Sequence, residues 1–254
     1  SNKIDMGGGQ ELTFTGLSAA SGTFKAVYDG TDTTLTLVAP GPVTATLTTG
    51  NDTPVLRDLN DTINASIANS LNAGDVINGE GGNDTLVITA EQNVTLGATT
   101  LTNVETVTIS HTSGTVKIVT DDATVAAGQT LTVDGSKATG TIDWNGFAEA
   151  DGKFSITGGS GDDTIRVGEG ADTLTGGAGK DSFIGSVNRL AGDTITDFAV
   201  GDKITVTVSD LTALDGKAAS GTIDLGLGQT LTLTGITAAS GTFSVVREFG
   251  HSYI

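Results

Sequence analysis

Short runs of alternating or continuous apolar residues recur along the chain and predict many brief β-strands. Between residues 85 and 157 these runs include Thr-Leu-Val-Ile-Thr, Thr-Val-Lys-Ile-Val and Lys-Phe-Ser-Ile-Thr, separated by Gly, Asn, Ser or Asp. Period-two alternation bounded by turn residues is typical of strands. We therefore expect an all-β protein, with residues 85–157 forming wide coils of a solenoid.

A nine-residue repeat occupies residues 158–184. Each of its three copies has Asp at the sixth position and an apolar residue at the eighth, and the aspartates are Asp163, Asp172 and Asp181. We interpret each copy as a six-residue turn followed by a three-residue strand, so that two copies complete one coil. The next coil then lies ~4.8 Å away. Asp163 and Asp181 are expected to stack on one edge.

Stacked carboxylates of this kind predict a calcium site. Two carboxylates ~4.8 Å apart repel each other unless a cation lies between them. Calcium takes roughly 6 to 8 oxygen ligands at about 2.3–2.6 Å, so one ion reaches both coils. Glycine is needed in the turns because their backbone must bring carbonyl groups close to the ion. A single Gly-Asp turn is usually only a turn, but three in register indicate calcium.

The same signal occurs earlier in the chain. Asp52 and Asp61 lie nine residues apart, as do Asp75 and Asp84, and these four are predicted to be further calcium ligands. The spacing from Asp61 to Asp75 is fourteen residues, which indicates five inserted residues. We therefore expect the ladder to be interrupted between these two pairs.

Composition narrows the possible partners. The 30 acidic and 12 basic residues give a net charge of −18, which disfavours binding to nucleic acid and to anionic membranes and favours cations. There is no cysteine for a disulfide or thiolate site, and no apolar run approaches the ~18 residues of a membrane helix. The chain opens on Ser1 with no leader pattern, so we expect a piece of something longer.

The repeat resembles the G-G-x-G-x-D-x-U-x calcium-binding nonapeptide of RTX proteins. The stretch from Asp193 to Ile204 resembles the segment that closes the β-roll of serralysin-type proteases. Taken together with "LTTGNDT" and "TLTNVETVTIS", the repeats are most similar to calcium-dependent bacterial S-layer proteins. The resemblance covers 48–208 and implies a right-handed parallel β-solenoid, with terminal β segments at 1–47 and 209–254.

The resemblance also implies which residues bind several calcium ions. The repeat around Asp172 departs from the family pattern, because Val167 and Phe154 stand where the pattern has Gly and Asp. Asp193 and Asp197 are expected to complete its site. The implied ligand aspartates are Asp163, Asp172 and Asp181, followed by Asp75 and Asp84, and the turn glycines are Gly158, Gly159, Gly161, Gly176, Gly177 and Gly179.

The two ends of the chain resemble each other. Residues 9–24 and 228–243 are identical at 12 of 16 positions. Two homologous hairpins packed in one fold would explain this. The alternatives are that the chain is one period of a tandem array, or that its ends make head-to-tail contacts between copies, which build filaments or sheets.

Enzyme signatures are weak. Asp143, Lys153 and Arg166 beside Trp144 could form a sugar site, but Trp144 is expected in the core, and neither His111 nor His251 belongs to a catalytic motif. Three non-catalytic functions stay open, all extracellular. They are an S-layer or filament subunit that binds copies of itself at the bacterial cell surface, a calcium-dependent adhesin or lectin-like module binding surface polysaccharide, and the secretion and folding module of a larger protein exported by the type I route.

Overall fold

The structure of the chain is a computed structural model, and it describes residues 3–7, 10–13, 23–28, 33–207, 221–226, 228–234, 246–248 and 251–253. It divides into two compact units, Ser1–Pro42 and Val43–Ile254. The division into 1–47, 48–208 and 209–254 stays a prediction. Residue 9 and residues 14–22 and 235–243, which belong to the two similar segments, lie outside the described residues.

The first unit contains two antiparallel strand pairs. Strand β1 (Lys3–Gly7) pairs with β2 (Gln10–Thr13), and β3 (Thr23–Tyr28) pairs with β4 (Thr33–Val38). Each pair joins two strands that follow one another in the chain.

The second unit is a parallel β-solenoid, as the sequence predicts. Its strands are short because turn residues interrupt the apolar pattern every few positions. One ten-stranded sheet contains, in chain order, β5 (Thr44–Thr46), β6 (Thr62–Ala65), β8 (Thr85–Ile88), β11 (Thr106–Ile109), β13 (Thr130–Asp134), β15 (Lys153–Thr157), β17 (Thr173–Thr175), β19 (Thr194–Ile195), β21 (Thr222–Gly226) and β22 (Gln229–Leu233).

An eight-stranded sheet forms the second wall of the solenoid. Its strands are β9 (Gln92–Thr95), β12 (Thr115–Val119), β14 (Thr141–Asn145), β16 (Thr164–Arg166), β18 (Ser182–Ser186), β20 (Lys203–Thr207), β23 (Val246–Glu248) and β24 (His251–Tyr253). A small third sheet pairs β7 (Ile77–Asn78) with β10 (Leu101–Thr102). The helix α1 (Val187–Leu190) is one turn long. No helix in the described ranges is long and apolar enough to cross a membrane.

Coil width varies along the solenoid. In the nonapeptide region Asp163 and Asp181 lie one coil apart at a step of 18 residues. In the region of residues 85–157 the coils are wider, since Val107 pairs with Val133 and Val116 pairs with Ile142. The prediction of wide coils for residues 85–157 is therefore confirmed.

The core is a single apolar column between the two main sheets. Strand residues alternate between buried positions and half-buried or exposed ones. In Thr164–Arg166 the middle residue is buried, and in Ser182–Ser186 the second and fourth residues are buried. Ile165 and Phe183 are in register on neighbouring strands, and Phe183 is in register with Ile204. Trp144 is 1% exposed and meets Phe154 edge to face with ring centroids 5.9 Å apart, which confirms its expected core position.

Phe183 gives a direct test of this core. Phe183→Ala should lower the free energy of unfolding by about 3–5 kcal/mol, because it removes a fully buried aromatic side chain from between two coils. Val200→Ala is the control, since Val200 is 87% exposed and its truncation should change stability by less than about 0.5 kcal/mol. Urea unfolding in saturating calcium measures both. Equal effects of the two substitutions would contradict the packing described here.

Candidate calcium sites

Burial of the predicted ligand aspartates follows from the strand pattern. Each aspartate stands two residues before an inward apolar residue, as Asp163 stands before Ile165 and Asp181 before Phe183. Because side chains alternate along extended chain, the aspartate faces inward too. The aspartates that are no more than 1% exposed are Asp61, Asp75, Asp84, Asp163, Asp172, Asp181 and Asp193.

Backbone hydrogen bonds connect these carboxylates from one coil to the next. The N–H of Asp163 donates to Oδ1 of Asp181 at 2.9 Å, and the N–H of Asp172 donates to Oδ1 of Asp193 at 2.9 Å. The structure therefore stacks Asp163 on Asp181, as the repeat predicts, and it also stacks Asp172 on Asp193. The two pairs occupy different edges of the solenoid. Asp163 and Asp181 precede strands of the eight-stranded sheet, whereas Asp172 and Asp193 precede strands of the ten-stranded sheet.

The earlier aspartates form the same ladder. The N–H of Asp52 donates to Oδ1 of Asp75 at 2.8 Å, and the N–H of Asp61 donates to Oδ1 of Asp84 at 2.7 Å, in both cases across 23 residues. The expected interruption of the ladder between these pairs is wrong. The five inserted residues widen the coil, and the carboxylates stay in register.

The second oxygen of several carboxylates has no partner. Within the part of the chain that the structure describes, Oδ2 of Asp84, Asp172, Asp181 and Asp193 is buried and makes no hydrogen bond. Asp163 differs because its Oδ2 accepts the N–H of Gly159 at 2.7 Å. Burying an ionised carboxylate without a compensating partner is strongly unfavourable.

This burial raises the pKa of the ladder carboxylates. Desolvation raises the pKa of Asp172 and of Asp181 to about 7, and that of Asp193 to about 8. Neighbouring carboxylates add to the effect on the pKa of Asp181, and Asp202 is the first of them. Burial also raises the pKa of Asp84 and of Asp163 above the ordinary value. A bound cation would remove this penalty and keep the carboxylates ionised.

Glycines leave the space beside these oxygens open. A Cβ on Gly176 would lie 2.3 Å from Oδ2 of Asp181, and a Cβ on Gly158 would lie 2.4 Å from Oδ2 of Asp163. The predicted turn glycines also pass close to carbonyl oxygens of the next coil. A Cβ would lie 2.1 Å from such an oxygen at Gly177, 2.4 Å at Gly179, 2.3 Å at Gly159 and 2.7 Å at Gly161. A residue with a side chain at any of these glycine positions would fill the space beside the oxygens.

Carboxylate and carbonyl oxygens around such a space are the hard donors that calcium prefers. The buried carboxylate oxygens without partners, together with the open spaces beside the turn glycines, therefore fit calcium. Direct ligation by each named residue stays a prediction.

The ladder extends beyond the residues that the sequence indicated. Asp181 donates its N–H to Oδ1 of Asp202 at 3.0 Å, and Asp84 donates its N–H to Oε2 of Glu105 at 2.7 Å. Both acceptors stand two residues before a buried apolar residue, Ile204 and Val107. A search for an acidic residue two positions before an inward apolar residue, without requiring turn glycines, would have identified Asp202 and Glu105.

Asp197 and Phe154 have roles other than those expected. Asp197 was expected to complete the site of Asp172, but its two carboxylate oxygens accept the N–H groups of Gly176 and Gly177 at 2.9 and 2.7 Å. Phe154 is buried in the core, and its N–H donates to Oδ1 of Asp172 at 2.7 Å. The backbone N–H of Phe154 therefore donates to the ladder as the N–H of an aspartate does in the other pairs, although the Phe154 side chain supplies no oxygen.

A family model for the RTX calcium-binding nonapeptide repeat, in four copies, matches residues 71–87 and 157–187. The first segment contains Asp75 and Asp84, and the second contains Asp163, Asp172 and Asp181. Asp52, Asp61 and Asp193 lie outside both segments. The resemblance to RTX β-rolls and the prediction of calcium as the bound ion are confirmed. A comparison with curated proteins finds no match.

Asp181→Asn tests the cross-coil pair. The amide can still accept the N–H of Asp163, but the charge that attracts the cation is lost, so the calcium concentration at the folding midpoint should rise at least ~10-fold. Circular dichroism during a calcium titration measures the midpoint. Glu91→Gln, which removes an exposed charge in a wide coil, is the control and should leave it unchanged. An unchanged midpoint for Asp181→Asn would contradict the register.

The raised pKa values predict a pH dependence. Without calcium, the folded chain binds more protons than the unfolded chain between pH ~4 and ~8, because the pKa of Asp181 rises from 3.8 to about 7 and that of Asp193 from 3.8 to about 8. The stability of the calcium-free fold should therefore fall as the pH rises through this window. With calcium bound, the ladder carboxylates are ionised in the folded chain as they are in the unfolded chain above pH ~4, so the stability of the calcium-saturated fold should change little over the same window. Circular dichroism at pH 5 and pH 8, with chelator and with saturating calcium, tests both; a calcium-free fold that is more stable at pH 8 than at pH 5 would contradict the assignment.

Proposed function

Because the chain carries RTX calcium-binding repeats stacked as a β-roll, we propose that it is a non-catalytic structural protein that folds outside the cell and assembles with copies of itself as an S-layer or filament subunit on a bacterial surface. The observation that carries the assembly part is a hairpin that occurs at both ends of the chain with the same sequence pattern and the same strand register.

Calcium acts as the folding switch in this proposal. Without the ion, the buried oxygens of Asp172, Asp181 and Asp193 oppose folding, which keeps the chain unfolded where free calcium is scarce. Extracellular calcium modules bind the ion with dissociation constants of ~0.1–1 mM. Binding and folding then become one event after export, and the type I route implied by the family resemblance requires an unfolded chain.

The hairpins at the two ends share an irregular register. In β1 and β2, Gly7 is opposite Gln10 and the register shifts between Asp5 and Gly7. In β21 and β22, Gly226 is opposite Gln229 and the register shifts between Asp224 and Gly226. The sequence Ile-Asp-x-Gly precedes the turn in both. The similarity of the two ends thus extends from sequence to backbone pairing.

The C-terminal hairpin shows how such a unit joins a roll. Strand β22 lies parallel to β19, with Ile195 in register with Leu233, so that β21 and β22 end the ten-stranded sheet. Strand β2 forms a two-stranded sheet with β1 among the described residues. An isolated two-stranded hairpin is marginally stable in water, and an open strand edge favours pairing with another chain. The sheet edge of a second copy is the partner that this hairpin fits.

The sugar-site alternative has less support. Trp144, the one tryptophan, is 1% exposed and cannot serve as a surface platform. On the outer face of the sheet, Asp143 pairs with Arg166 and lies 3.8 Å from Nζ of Lys117. These charged residues stabilise neighbouring strands as cross-strand pairs.

A proline in the N-terminal hairpin tests self-assembly. Leu12→Pro should prevent β2 from pairing, so that large particles no longer form in saturating calcium, while the calcium midpoint of folding stays the same. Light scattering and circular dichroism on the same sample separate these readouts. Leu12→Ile is the matched control and should assemble like the unmodified chain.

Two results would count against the proposal. Assembly that continues with Leu12→Pro would exclude the hairpin as the contact. An unmodified chain that folds with calcium but stays monomeric would favour the adhesin or secretion-module alternatives.

A further inference from the structure

A second group of acidic residues lies in the wide coils, outside the segments that match the nonapeptide model. Asp122, Glu149 and Asp151 each offer a carboxylate oxygen, and these three oxygens lie within 4.8 Å of one another. Asp122 follows β12, whereas the other two lie in the turn between β14 and β15, one coil further along. The group therefore spans two stacked turns.

Backbone hydrogen bonds hold these two turns together. The N–H of Ala150 donates to Oδ1 of Asp122 at 2.9 Å, and the N–H of Gly128 donates to the carbonyl of Asp151 at 2.8 Å. Both bonds cross from one coil to the next. The first bond holds the Asp122 side chain against the next turn, and the second joins the two turns through their backbones, so the acidic residues of the two turns are held close together.

Glu149 is the buried member of the group. Its Oε1 accepts the N–H groups of Ala150, Asp151 and Gly152 at 3.1, 3.1 and 2.7 Å. The residue is 1% exposed, and its Oε2 is buried with no hydrogen-bond partner among the described residues. One oxygen is therefore bound by backbone while the other is orphaned, which is the arrangement found at Asp181.

We propose that Asp122, Glu149 and Asp151 bind a calcium ion at a site separate from the nonapeptide repeats. Three carboxylates whose oxygens lie within 4.8 Å of one another repel unless a cation lies between them, and the orphaned oxygen of Glu149 is buried away from solvent. Asp122 and Asp151 are exposed, so water can supply the remaining ligands that calcium requires. The ion would join the coil of β12 and β13 to the coil of β14 and β15.

The site would make the wide coils dependent on calcium. Residues 88–156 lie between the two matched segments, so nonapeptide sites do not cover them. An ion at Glu149 would place a calcium-dependent contact inside this gap. Folding of the whole roll would then require calcium along its length.

Counting bound ions tests the proposal. Native mass spectrometry of the folded chain in calcium should show one ion fewer per chain for Asp122→Asn and for Asp151→Asn than for the unmodified chain. The control Glu91→Gln removes an exposed charge from a wide coil and should keep the full number. Circular dichroism should show that all three variants remain folded. An equal ion count in all of them would overturn the proposal.

A measurement on the unmodified chain covers the case in which the variants do not fold. Crystals grown in calcium and exchanged with manganese or terbium should show an anomalous peak between the three carboxylates. Peaks along the aspartate ladder but none at Glu149 would overturn the proposal, and leave the calcium-dependent folding of the nonapeptide region intact.

Discussion

At four of the buried aspartates of the roll, one oxygen accepts a backbone N–H from the preceding coil and the other has no hydrogen-bond partner among the described residues. This is seen at Asp181 and Asp193, whose Oδ2 atoms are orphaned while Oδ1 binds the coil before. The first interaction sets the register of the stack. The second makes the stack unfavourable until a cation arrives. Structure and calcium dependence thus come from the same side chain.

The thin apolar core supports the proposal that the ion takes part in folding. Inward positions carry one apolar residue per short strand, such as Leu174 on β17 and Ile195 on β19. Glycines at the turns allow close approach of neighbouring coils but bury no side chain of their own. A solenoid of this kind gains its stability from contacts between neighbouring coils. Neutralising the stacked carboxylates strengthens the contact that every coil repeats.

The sequence was most informative where local spacing determines structure. The nonapeptide spacing located Asp163, Asp172 and Asp181 and their stacking, because three strand residues and six turn residues leave no freedom in register. The width of the coil between Asp52 and Asp75 was not predictable, since the five inserted residues could either break the ladder or widen the coil, and only the partner of Asp52 decides between them. The sequence also does not predict that Glu149 lies beside Asp122, because the two residues are 27 positions apart and their turns lack the glycine repeat.

The most direct test is a calcium titration of the purified chain followed by circular dichroism, with magnesium as the control. Calcium occupancy of the buried carboxylates should produce the β signal cooperatively, whereas magnesium, which needs a smaller octahedral site, should not replace it. A chain that shows the full β signal in chelator at neutral pH would contradict the central role assigned to the orphaned carboxylate oxygens.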